Sequence, residues 1–169
     1  IDAEFSRVIR QAENNEFSLK NFSLASEQYL RAAAVAGSPL REGYARLQRA
    51  RVLMRLKKER ESLSEYDKVL SLPPEVVDEY GVPLALYAVE PLLKSGSSVD
   101  KTVERVGRQL ASGAWLAPAG LYLMKDLIER ILAGTSEASG AAVGSVADGH
   151  LRKILALIQT TEQASGLKR

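Results

Sequence analysis

The sequence predicts an all-α fold, a short array of antiparallel helical hairpins. Three observations carry this. Apolar residues recur at helical spacing along nearly the whole chain. Alternating strand-like runs are scarce, and the Asp148-Gly149 pair sits among Ala, Ser and His rather than between strands. Gly, Pro, Ser and Asn punctuate the chain at about helix-length intervals.

Eight helices follow from this punctuation. The first runs from Ala3 to Phe17 and ends near Asn21. The second starts at Phe22 and stops at Gly37, a natural residue to follow a helix, before Ser38-Pro39. The third covers Leu40 to Leu56, and the fourth Lys58 to Ser71, closed by Pro73-Pro74. The fifth begins at Glu75 and reaches Ser95-Gly96, with Pro83 and Pro91 expected to split or kink it. The sixth follows Ser98, with Asp100 in its first turn, and stops near Gly113. The seventh follows Pro118 and runs to Gly134. Residues 135–145 are rich in Gly, Ala and Ser and read as a flexible loop. The eighth runs from Val146 to Ser165, within a capping or connecting segment 146–169. Short turns between such helices favour antiparallel neighbours.

Composition narrows the chemistry. The chain has 169 residues, with 23 Lys+Arg against 21 Asp+Glu, a formal net charge of +2. It has no Cys and one His, His150, which excludes disulfides, thiolate metal sites and cysteine nucleophiles. No stretch approaches the ~20 apolar residues of a membrane span. A start at Ile1 rather than Met suggests a processed chain or an excised piece of a larger protein.

Two segments repeat at an offset of 37 residues: NFSLASEQYLRAA and KERESLSEYDKVL. Phe22, Ala25, Tyr29 and Ala32 align with Glu59, Ser62, Tyr66 and Val69, and a proline-containing break follows each. The pattern resembles the tetratricopeptide repeat, a helix-turn-helix unit of about 34 residues. The units fall at about 6–39 and 43–74, within a helical-repeat domain 1–134. Glu59 and Ser62 depart from the aromatic and Ala positions of that pattern, and Pro39 arrives late. The resemblance implies a right-handed superhelix of helix pairs. Helix three supports stacking independently. At about 100° per residue, Ala45, Val52 and Leu56 form one apolar stripe and Leu47, Ala50 and Met54 another on the opposite side. Two opposed stripes place a helix between neighbours.

The segment from Leu72 to Leu132, with PPEVVDEYGVPLALYAVEPLLKSG and ASGAWLAPAGLYLMKDLIERIL, is similar to the extracytoplasmic sensor regions of bacterial membrane-bound histidine kinases. That resemblance implies a sensing or interaction module on the periplasmic side of a membrane-anchored parent, not an enzyme. The alternative is a cytoplasmic scaffold in a multi-protein complex. No kinase motif is present, so no kinase residue carries over.

Tyr44, Gln48, Arg51 and Arg55 project from one side of helix three, between its stripes. Arg7, Arg10 and Asn14 occupy the equivalent side of helix one. Arg offers a planar fork of donors to a carboxylate. If both sides face one groove, the expected partner is a peptide, a protein or a small acidic ligand. The blander alternative is a solvated face with local ion pairs to Glu13, Glu42 and Glu59.

Residues Arg41 to Arg60 hold eight basic and two acidic residues, a local +6. The basic residues spread around the helix rather than along one face, which argues against nucleic acid. His150 reads as a surface or capping residue, and Trp115 as a plug between helices. Glu104, Asp126 and Glu129 form no acid/base or metal pair. The Gly140–Gly149 stretch lacks the Lys-Ser/Thr ending of a phosphate loop. Neither a cofactor nor a catalytic residue is expected. Leu151, Ile154, Leu155, Leu157 and Ile158 give the last helix a broad apolar stripe. It either caps the array or joins a second copy in a homodimer.

Overall fold

The computed structural model describes residues 2–96, together with residues 101–102, 104–106, 122, 125–126, 129 and 156. Among the described residues the chain is all-helical: α1 (Asp2–Glu13), a π-helical turn (Asn14–Ser18), α2 (Phe22–Ala34), α3 (Pro39–Arg55), α4 (Glu59–Leu70) and α5 (Leu86–Lys94). The scattered described residues from 101 onward are also helical. Trp115, His150, the 135–145 loop, most of the 146–169 segment and the limits of the three C-terminal helices lie outside the described residues. Among the described residues, no helix is long and apolar enough to cross a membrane.

The helix starts follow local chemistry. Asn21 Oδ1 accepts from the Leu24 amide at 3.2 Å, and Ser38 Oγ from the Arg41 amide at 3.3 Å, with Pro39 opening α3. Each side chain satisfies an amide left without an intrahelical partner. Gly37 follows α2 with φ 75°, which its missing Cβ permits. Two lysines do the same without that freedom. Lys20 (φ 56°) ends the first helical run and Lys57 (φ 62°) ends α3, 37 residues apart. At Lys57 the chain closes with Lys58 N donating to Leu53 O and Lys57 N to Met54 O. That double bond pattern satisfies carbonyls at a helix end.

The first helix changes character where the sequence predicts an uninterrupted α-helix. From Asn14 the amides reach five or more residues back: Leu19 N bonds Asn14 O at 3.0 Å, and Asn21 N bonds Asn15 O at 2.8 Å. Asn15 and Glu16 are buried within this turn. Such turns interrupt helices chiefly at functional positions.

The first core joins α1, α2 and α3. Phe5, Val8, Ile9 and Ala12 pack with Ala25, Tyr29, Ala32 and Ala33, and with Ala45 and Val52. Phe22 and Leu56 close its edge. The many alanines let the helix backbones approach closely, leaving room for the Tyr29 ring. Consecutive helices contact one another from α1 to α5. On the opposite side of α3, Ala50 and Leu53 are buried toward α4, where Ser62 Oγ donates to Ala50 O at 2.7 Å. Met54, expected in that second stripe, is 39% exposed instead. The stripe ends at Leu53, one position earlier on the helix.

The expected fifth helix is shorter than its periodicity suggests. Residues 75–84 form a reversed turn rather than a helix, with an antiparallel bridge between Val77 and Pro83. Asp78 Oδ1 accepts from the amides of Tyr80 (2.9 Å) and Val82 (3.0 Å), and Gly81 takes φ 78°. A carboxylate that binds amides two residues on competes with helix, and Pro83 cannot donate. The helix begins only at Leu86 and continues through Pro91. Gly43 lets this turn lie on α3: a Cβ there would stand 2.7 Å from Leu72 Cδ1 and 2.8 Å from Leu84 Cδ1.

Candidate functional site

The packing of the turn beside α3 leaves a cleft of about 610 Å³. One wall is α3, contributing Leu40, Arg41, Tyr44, Leu47, Gln48 and Arg51. Phe5 of α1 and Tyr66 of α4 also line it. Asp78, Glu79 and Leu84 from the turn, with Tyr87 of α5, form the other wall. The lining is mainly aromatic and aliphatic, with a few polar tips, as ligand clefts usually are.

The polar tips are mostly held by the protein itself. Arg51 lays its guanidinium on Glu16: Nη2 donates to Oε2 at 3.0 Å and Nη1 to Oε1. Tyr29 Oη donates to the same Oε2 at 2.6 Å. The Glu16 side chain, in the π-helical turn, is 0% exposed where it meets Arg51. A buried carboxylate persists only when paired and hydrogen-bonded, and here three donors do so. Gln48 Oε1 accepts from Arg51 Nη2, and the Arg51 guanidinium lies 5.4 Å from the Phe17 ring centroid. Burial, and then the bond to Glu16, push the Tyr29 hydroxyl far above its ordinary range.

Two of the three tyrosines lining the cleft are fixed at their tips. Tyr44 Oη donates to Glu13 Oε1 at 3.0 Å, and Tyr87 Oη to Asp78 Oδ2 at 2.6 Å. Burial first, then these bonds, raise both hydroxyls from 10.0 to about 12. Burial also raises Tyr66, opposed by the charge of Arg51. A raised folded pKa favours the neutral form in the folded state. Its stabilisation is complete below pH about 10 and is lost as pH rises toward about 12. Folding stability should therefore fall over that window. Tyr44→Phe and Tyr87→Phe should each blunt the fall and remove one late component from the tyrosinate absorbance titration. An unchanged titration in both variants would contradict these bonds.

Of the seven residues expected in a groove, three line the cleft: Tyr44, Gln48 and Arg51. The other four stand apart from it. Arg7 and Asn14 are exposed on the first helical run. Arg10 Nε donates to the Ser6 carbonyl at 3.1 Å. Arg55 stacks over Phe22 at 4.7 Å from the ring centroid. Sequence reasoning passed over Phe5, Tyr66, Asp78, Glu79 and Tyr87. The aromatic recurrence at Tyr66, Tyr80 and Tyr87 was the available signal.

Three of the eight basic residues in the Arg41 to Arg60 segment, Arg46, Arg49 and Arg51, pair with acids. Arg46 and Arg49 both bind Glu65, at 3.1 and 2.8 Å, and the Glu65 side chain is 2% exposed. Arg46 also reaches Glu42 at 2.9 Å, Arg51 holds Glu16, and Arg41 lies over Phe5 at 5.6 Å from the centroid. Part of the local +6 is therefore directed at other elements, while Lys57, Lys58 and Arg60 stay exposed at and beyond the end of α3. Among the described residues, no group of three His, Cys, Asp or Glu could hold a metal ion. Comparison with protein-family models, curated proteins and solved structures finds no match to this chain.

Proposed function

We propose that the chain is a non-enzymatic binding module of tetratricopeptide type, which docks a peptide or protein segment in the cleft beside α3. The observation that carries this reading is the cleft itself, about 610 Å³ and lined by four aromatic rings, two of them held at their hydroxyls. Tyr and Phe surfaces of this kind give large contact area at small entropic cost. The repeat reading draws support from Lys20 and Lys57, which end corresponding helices 37 residues apart. It also draws on the small positions Ala25 and Ser62, both 0% exposed at equivalent places in their units. A sensing role in a bacterial signalling protein rests on the likeness of the Leu72–Leu132 segment to kinase sensor regions. Membrane segments flanking the domain in its parent would favour that role, and their absence would favour the scaffold.

The docking reading is tested by selecting peptides from a random display library on the immobilised chain. The selected peptides are then titrated against wild type and Leu47→Glu. Loss of a central apolar contact at a hot spot typically costs ten-fold or more. Affinity should fall by about that factor or more with the helical circular dichroism retained. Equal affinity in both would reject the cleft.

A further inference from the structure

We infer that the cleft selects a peptide segment with an uncharged bulky apolar side chain followed or preceded by a basic residue, and discriminates against carboxylate ligands. This rests on the docking reading above and specifies its ligand.

Two cations line the cleft: Arg41, which lies over the Phe5 ring, and Arg51. The Arg51 fork is committed to Glu16, which is fully buried. A ligand carboxylate could take the two-pronged face of Arg51 only by releasing Glu16. That would leave a buried charge with Tyr29 as its one remaining donor among those described above. Removing one partner of a buried ion pair is strongly unfavourable, so the acidic ligand begins at a disadvantage. The hydroxyls of Tyr44 and Tyr87 are likewise engaged, by Glu13 and Asp78. Asp78 is satisfied by two amides and the Tyr87 hydroxyl.

What remains is selective. Phe5, Tyr44, Leu47, Tyr66 and Tyr87 offer apolar and ring surface. Gln48 Nε2 and the Tyr66 hydroxyl, on residues that line the cleft, make no hydrogen bond among the described residues and suit a ligand's backbone carbonyl. At the rim, Glu79 is exposed and makes no ion pair among the described residues. Its complement is a Lys or Arg beside the apolar anchor. The ligand's anchor supplies affinity, and the rim charge supplies preference.

The test uses the full chain, labelled with nitrogen-15, and blocked heptapeptides of Gly and Ser around a central phenylalanine. A lysine is placed at each flanking position in turn. Matched peptides carry glutamate for lysine, or alanine for phenylalanine, and one has a free C-terminal carboxylate. The best lysine peptide should shift the amides of Tyr44, Leu47 and Tyr66. It should bind about five-fold tighter than its glutamate counterpart, the scale of an exposed ion pair gained rather than opposed. The alanine version should be about ten-fold weaker or worse. Glu79→Lys should invert the lysine–glutamate order.

If the glutamate or free-carboxylate peptides bind tighter in the cleft, this specificity is wrong while docking stands. Equal binding of the lysine and glutamate peptides also overturns it. If no peptide shifts the cleft amides, docking and specificity fall together.

Discussion

Arg51→Met should lower stability by about 3 kcal/mol, the lower part of the range for breaking a buried ion pair. The lower part applies because the Arg51 side chain is 39% exposed, whereas Glu16 is 0% exposed. The substitution removes a two-pronged partner and leaves the carboxylate to Tyr29 and to whatever water can enter. For a chain of this size each kcal/mol moves the midpoint by about 2–4 °C, so the melting temperature should drop by about 6–12 °C. The double variant Glu16→Met with Arg51→Met should recover to within about 1 kcal/mol of wild type, since replacing both charges removes the uncompensated one. Urea denaturation followed by circular dichroism separates the cases. If the single variant were as stable as wild type, the Glu16–Arg51 pair would not anchor the π-helical turn to α3. The same experiment bears on function, because Arg51 also lines the cleft.

Tyr29→Ala should be comparably severe, for a different reason. The Tyr29 ring is 0% exposed and stands among Ala12, Ala25 and Ala32, which have no larger side chains with which to refill the space. Truncating a buried aromatic to Ala costs about 3–5 kcal/mol through lost contact and residual cavity. Tyr29→Phe keeps the ring and loses only the hydroxyl bond to Glu16. A bond to a charged group is worth about 1.5–3 kcal/mol, so the difference between the two variants isolates the ring. Should Phe prove as damaging as Ala, the bond to Glu16 would outweigh the packing. The chain would then depend on this polar contact more than on its alanine-rich core.

These two residues show how far local pattern reaches. Tyr29 lies at the position where the repeat pattern places an aromatic, and its burial follows from the stripe it shares with Ala25 and Ala32. Its hydroxyl partner does not follow. Glu16 continues the Phe5, Ile9 and Ala12 face at helical spacing, but its charge argues against burial, and the structure nonetheless buries it in the π-helical turn. The adjacent Asn15 is held there by Gln28 of α2, Nδ2 to Oε1 at 2.7 Å. The advantage of that turn lies in contacts with α2 and α3, which no short window of sequence contains.

The 75–84 segment teaches the same lesson in reverse. Val76, Val77, Val82 and Leu84 are compatible with helix or strand spacing, and short apolar runs do not distinguish the two. Asp78, Gly81 and Pro83 held the decisive information, as turn-forming residues within six positions of each other. Reading Pro83 as a kink in a long helix that also took in Asp78 and Gly81 missed this part of the cleft lining. Tyr44, Gln48 and Arg51 were legible as one face of α3 because a helix fixes its own periodicity. Their opposite wall was not, since it depends on a turn more than twenty residues away lying across Gly43.

By itself the sequence determined an all-helical chain, the starts of α2 and α3 through Asn21 and Ser38, and which face of α2 would be buried. Those properties depend on residues within a few positions of one another. Only the tertiary structure decided the sign of the site. The arginines of α3 look like open cations in the sequence, but Glu16 and Glu65 approach them from other helices. The physical reason is desolvation: a buried carboxylate must find a cation, and the nearest ones were those that seemed available to a ligand.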